Sequence, residues 1–188
     1  MFEVEGAFRI GKPGDGWKLH RNRRLGKKLF LDYKREGADV DVRVTVNPLD
    51  DTSRRLPLPT LAEGLVLHYG RGRGLVTVVH AVQRADFGDH EGFVVHATRS
   101  WKPNVERRMV QVFLRTADEL VIVSYIAPPD LYERFAPDFA HALDGFALLL
   151  PPEAPVFGLQ TPDDLPQKAA AVTGTPGPLP LTTPPAPK

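Results

Sequence analysis

No cysteine occurs anywhere in the chain, which removes disulfides, thiol nucleophiles and cysteine metal sites from consideration together. Long apolar runs are missing as well. The longest, residues 146–150, falls far short of the roughly 18 residues that a membrane-spanning helix needs, so no span is expected. Charge of one sign is not in excess: 24 lysines and arginines face 23 aspartates and glutamates, a net charge of +1 that offers no global pull on nucleic acid or acidic lipid. Residues 1–10 carry Glu3 and Glu5 and no apolar centre, so no signal peptide is expected and the chain is read as cytoplasmic.

What is present begins with four apolar, β-branched runs in succession, 76–82, 93–98, 109–114 and 120–126, each followed by a turn-like break. Such runs predict a four-stranded antiparallel meander. In the last two, both parities are apolar, which places those strands in the middle of a sheet with something packed on each face. Ahead of them, Val40, Val42, Val44 and Val46 alternate with Asp41, Arg43 and Thr45, the mark of a half-buried strand, and residues 29–33 form another. Two short edge segments are expected at Phe8 to Ile10 and around Trp17 and Leu19, separated by a glycine- and proline-rich turn. Residues 47–59 read as a connection, after which Thr60 and Glu63 have capping-box spacing for a helix with a Leu61, Leu65 and Tyr69 stripe beside Val66. After residue 128, Leu131 and Phe135 make one short stripe, Pro137 breaks it, and Phe139, Leu143 and Phe146 make a second, which is expected to lie across the meander.

From Pro151 the composition changes: eleven of the 19 prolines fall in the last 38 residues, and the apolar residues there have no period. Residues 1–150 are therefore read as one α+β domain and 151–188 as an extended or disordered proline-rich tail, either solubilising or carrying P-x-x-P ligands.

The candidate functional residues are mostly cationic. Six lysines and arginines crowd into residues 18–28, among them Lys18, Arg21, Arg23 and Arg24. They form either an electropositive loop for an acidic partner or a solvated hairpin connection turning at Gly26, and the second is the preferred reading. With no aromatic between them, stacking on single-stranded nucleic acid is disfavoured. Arg71 and Arg73 alternate with Gly70, Gly72 and Gly74, but this run follows a helix and lacks phosphate-loop spacing, so a helix stop is preferred. Trp101 and Arg107 flank the loop after the second meander strand and could anchor an interface. The acids Asp32, Asp39 and Asp41 are read as the polar face of their strands. The turn holding Asp86, Asp89, His90 and Glu91 matches no metal-loop spacing, so neither a metal nor a cofactor is expected.

One register question bears on chemistry. A three-residue turn at 87–89 would set His80 opposite His96, whereas a two-residue turn at 88–89 would put them on opposite faces. Paired, they would be the core of an alternative reading as a small-ligand binder or enzyme.

The order of elements resembles the PsbP-like superfamily, whose members include Mog-type import factors and effector-associated secretion chaperones. The resemblance spans about residues 3–150 and is carried by the run Glu119-Leu-Val-Ile-Val-Ser-Tyr-Ile-Ala127 and by Phe139-Ala-His-Ala-Leu-Asp-Gly-Phe146. It implies an α/β/α sandwich around a central antiparallel sheet, with no catalytic residues to carry across. It also implies a non-enzymatic protein-binding module, a bacterial cytoplasmic adaptor or secretion chaperone that holds a protein partner, with a homodimer as an open alternative. Weak nucleic-acid binding through residues 18–28 is the remaining alternative.

Overall fold

An alternating strand buries one face, and a strand apolar on both faces must be covered twice; together these two patterns demand a sheet with layers on either side. The computed structural model describes residues 2–4, 7–68, 75–88, 90–102 and 105–149, all within a unit spanning Met1–Ala154. In chain order they form β1 (Phe2–Val4), β2 (Phe8–Ile10), β3 (Trp17–Leu25), β4 (Lys28–Arg35), β5 (Asp41–Pro48), α1 (Asp51–Arg55) and α2 (Leu58–His68). There follow β6 (Val76–Phe87), β7 (His90–Lys102), β8 (Val105–Arg115), β9 (Glu119–Ala127), α3 (Pro129–Asp144) and β10 (Ala147–Leu148). Seven strands make one antiparallel sheet in the order β3-β4-β5-β9-β8-β7-β6, and β1, β2 and β10 make a small second sheet. After β5 the chain crosses to the far edge through α1 and α2, and the meander then returns to lay β9 against β5, with Val123 opposite Val44.

The α/β/α layering is present but offset. On one face, α3 brings Tyr132, Phe135 and Phe139 down on Val42, Val44, Val112, Val123 and Tyr125. Tyr125 is fully buried, donates its hydroxyl to the Tyr132 carbonyl at 2.7 Å and stacks on Phe139 with centroids 5.4 Å apart. On the other face, α2 packs Leu58, Leu61, Ala62 and Val66 against Val95, Ala97, Met109 and Phe113. Each fully buried Val, Leu or Phe contributes roughly 1.5–3 kcal/mol of apolar transfer free energy. Because α2 sits over β6, β7 and β8 and α3 over β8 and β9, the β3–β4–β5 part of the α2-side face has no helix above it, nor has the β6–β7 part of the α3-side face, among the described residues.

Several expectations are corrected. The connection at 47–59 contains α1, capped by the Asp50 carboxylate accepting from the Ser53 N–H at 2.7 Å. The next helix starts at Leu58, not at a Thr60 cap; Pro59 lies in the first turn, where no N–H is needed. Its buried stripe is Leu58, Leu61, Ala62 and Val66, and Leu65 stays 41% exposed. Pro137 does not divide α3, which is continuous around it; the proline is on the exposed side, and Phe135 and Phe139 pack on either side of the one lost hydrogen bond. Phe8 to Ile10 joins the small sheet, while Trp17 begins a nine-residue edge strand of the main one. Tyr69, residues 70–74 with Arg71 and Arg73, and the segment from 150 onward lie outside the described residues.

Candidate partner-binding edge

The basic stretch is a strand, not a loop. Trp17 is 2% exposed, meets Phe135 edge-on at 6.4 Å and donates its indole N–H to the Asp138 carboxylate at 2.7 Å, which pins the start of β3 to α3. Beyond that anchor no described residue covers β3: every side chain from Lys18 to Leu25 is exposed. A bulge at His20 interrupts the pairing, and the strand ends in the Gly26–Lys27 turn, where Gly26 takes a φ of +59° that favours glycine. The expected turn glycine is therefore in place, but the cations ahead of it belong to an edge strand. Charge on both parities leaves β3 no apolar face to bury, so it takes the outermost position, where no strand among the described residues pairs with one row of its backbone groups.

Register sorts these cations by face. Arg21 lies opposite Asp32 and Arg23 opposite Phe30, on the α2 side; Asn22 and Arg24 lie opposite Leu31 and Leu29, on the α3 side. Two of the six are already matched with acids of the chain: Lys18 pairs with Glu36, and Arg21 lies 3.7 Å from Asp32. Asp32 is only 2% exposed and accepts from Arg43 at 2.8 Å, so it is a buried counter-ion and not part of a solvent-facing polar row. The pairing continues through Asp41, which lies 3.7 Å from both Arg43 and Lys34. Arg23 stands over the Phe30 ring at 5.9 Å, and among the described residues no carboxylate forms a salt bridge with Arg23, Arg24, Lys27 or Lys28. The unmatched positive charge therefore gathers at the β3–β4 turn. A cleft of about 480 Å³ adjoins it, lined by Arg24, Lys27, Leu49, Arg54, Asp118 and Glu119, with Arg54 held to Asp118 at 3.0 Å.

The other candidates are not brought to this edge. Arg107 pairs with Asp39 in the β4–β5 turn, at the end of the sheet opposite the β3–β4 turn. The side chain of Trp101 lies outside the described residues. In the β6–β7 hairpin Phe87 pairs with His90, so the turn is the two-residue one, yet a bulge at His80 restores the lost residue. The His80 Nε2 lies 2.8 Å from the Thr98 hydroxyl, on the face that also carries His96, and no carboxylate hydrogen-bonds to either ring among the described residues. Burial first, then the Arg108 and His80 charges, hold the His96 pKa below the ordinary value. In the acidic turn, Arg84 lies 3.7 Å from Asp86 and 3.6 Å from Glu91. Among the described residues no three His, Asp or Glu groups converge for a metal, and no helix is long and apolar enough to cross a membrane.

Sequence reasoning missed the Arg21–Asp32–Arg43 array. The signal was available: closing residues 28–35 and 41–48 across a short turn sets Asp32 directly opposite Arg43.

No protein-family model matches this sequence, and no curated protein matches it. Solved structures do. The cyanobacterial PsbP protein (CyanoP) from Synechocystis sp. PCC 6803 superposes with a TM-score of 0.52 at 8% identity, covering 77% of this chain and 94% of that one. LpqN of Mycobacterium tuberculosis, involved in cell envelope biogenesis, superposes with a TM-score of 0.50 at 13% identity, covering 77% of this chain and 86% of its own. At such identities the likeness concerns the fold, and the fold of this chain is PsbP-like.

Proposed function

We propose that this chain is a non-enzymatic protein-binding module that offers an open sheet edge to a client, in the manner of a bacterial cytoplasmic adaptor or secretion chaperone. The observation that carries this reading is β3, pinned at Trp17 and exposed on both faces for the rest of its length. A strand held in place at one end while its outer hydrogen-bonding row stays unpaired is prepared for strand addition by another chain. The histidine pair supports the rival enzyme reading poorly, because His80 is bonded to a hydroxyl and neither ring has a carboxylate to orient it among the described residues.

The test is affinity purification of the tagged full-length chain from its own host, followed by reconstitution with the recovered protein made separately. A partner that rebinds in fixed stoichiometry, with no hydrolase activity in either component, is the expected result. Recovery of the free chain alone overturns the reading. Cell fractionation in the same host checks the cytoplasmic part.

A further inference from the structure

We infer that the free edge of β3 takes an extended acidic segment of the client as an added strand, with consecutive acidic residues astride Arg23 and Arg24. This rests on the protein-binding reading above and names the chemistry of what is bound.

Two sources of attraction coincide at this edge. The outer backbone row of β3 supplies main-chain hydrogen bonds to any extended peptide, and such bonds confer affinity without choosing a sequence. Choice comes from the side chains. Arg23 and Arg24 are neighbours in sequence and point to opposite faces, neither forms a salt bridge among the described residues, and Lys27 and Lys28 follow at the turn. A strand lying alongside would place successive side chains on alternate faces, directly beside these two guanidiniums. Two adjacent acids satisfy both; acids two residues apart satisfy only one face. Next along β3, Leu25 is 62% exposed, so an apolar residue beside the acid pair completes the match. Positive charge at an edge repels basic strands and gives neutral ones no added attraction, and this chain's own β3 is thereby kept from pairing with itself. The same charge draws an acidic strand and speeds its encounter.

Lys18 and Arg21 contribute less. Their charges are matched by Glu36 and Asp32, so the selective part of the edge is its half nearest the turn. A nucleic acid is the poorer fit, because β3 exposes no Phe, Tyr or Trp for base stacking, Trp17 being buried, and Phe30 is covered by Arg23.

Fluorescence anisotropy with the purified full-length chain tests this. The probe is a labelled extended peptide with a central Leu-Glu-Glu between threonines and valines. Its controls are the Leu-Gln-Gln version, a version N-methylated at alternate backbone amides, and a single-stranded DNA of equal charge. The Leu-Glu-Glu peptide should bind. Binding should fall by at least ~10-fold in the glutamine peptide, in the N-methylated peptide and in the R23E/R24E variant, the range expected for losing two charge-assisted cross-strand contacts. An Arg84→Glu change on the opposite edge should leave it intact. Thermal melting and far-UV circular dichroism establish that R23E/R24E is folded. Equal binding of the glutamine peptide, or retention by R23E/R24E, overturns the inference, and tighter binding of the DNA overturns it in favour of a polyanion site. If the reconstituted native partner binds wild type and R23E/R24E equally, the edge assignment fails while the protein-binding reading stands; if no partner is recovered, the reading itself fails.

Discussion

Removing the Asp138 carboxylate should loosen the β3 edge from a distance. Asp138 accepts the Trp17 indole N–H at 2.7 Å across 121 residues of sequence, and Trp17 is among the most buried side chains of the protein. An ionised acceptor makes this a charge-assisted bond, of the kind worth roughly 1.5–3 kcal/mol. In Asp138→Ala the indole N–H remains buried with no acceptor, so the expected loss is about 2 kcal/mol. For a domain of this size 1 kcal/mol moves the melting temperature by about 2–4 °C, which gives a fall of about 4–8 °C.

The assay is thermal or urea unfolding followed by far-UV circular dichroism, run as a double-mutant cycle with Trp17→Phe. Phenylalanine keeps a ring beside Phe135 but has no N–H, so Asp138→Ala should cost almost nothing in that background. The coupling energy should come out at about 1.5–2 kcal/mol, well above the few tenths typical of independent sites. Equal destabilisation by Asp138→Ala with and without the indole would refute the argument and mean that Asp138 acts through α3 alone. Amide exchange adds a spatial check: residues 18–25 should lose protection more than β9 does, because the lost bond anchors β3.

The other expectations follow from burial and register. Tyr125→Phe leaves the Tyr132 carbonyl without its buried donor and should cost about 1–2 kcal/mol by urea titration. Burial holds the phenol pKa values of Tyr125, Tyr132 and Tyr33 above the ordinary range. The folded state therefore keeps these protons longer than the unfolded chain does. Their contribution to stability is intact below about pH 10 and is lost as pH rises through the folded values; Tyr125→Phe should make that alkaline loss shallower. His96 behaves in the opposite sense, since its folded pKa is depressed: stability is intact above about pH 6.5 and declines as pH falls through the folded value. His96→Gln should flatten the decline, and an NMR titration placing the His96 midpoint at or above that of a free imidazole would contradict it. Gly92→Ala would set a Cβ 2.6 Å from Leu114 Cδ2, 3.0 Å from Phe87 Cδ2 and 3.2 Å from the Ala85 carbonyl, an overpacking that should cost about 1–3 kcal/mol in the same unfolding assay.

Much of the architecture was legible because the apolar pattern reports burial directly. Val42, Val44 and Val46 are buried as their alternation requires, and the doubly apolar β8 and β9 occupy the middle of the sheet, β8 with a helix over each face and β9 beneath α3. Misreadings concentrate where pattern and packing diverge. Leu65 fits the four-residue stripe of α2 but is exposed, because the face packed on the sheet is centred on Leu58, Ala62 and Val66, which recur at the same four-residue spacing one position further round the helix. Pro137 looks like a stop until tertiary contacts on both sides of it offset the one hydrogen bond it forfeits. At His80 a bulge reverses the parity that turn length alone implies, and bulges leave no compositional trace.

The candidate edge was half legible, and the reason is electrostatic. Composition identifies six cations in residues 18–28 but says nothing of which already have counter-ions, since Glu36 and Asp32 enter only through cross-strand register. A matched arginine and an unmatched one are the same letter, yet the first has spent its charge within the protein and the second still projects a field. Asp32 illustrates the difference: among the apolar residues of β4 it reads as a solvated acid, and in the sheet it is the buried centre that fixes Arg21 and Arg43. Subtracting the matched pairs moves the centre of free charge from the middle of β3 to its turn. It follows that a partner selected by charge must engage the Arg23–Arg24 end, and that weakening the Asp32 pairs would spread the attraction back along the strand and broaden what the edge accepts.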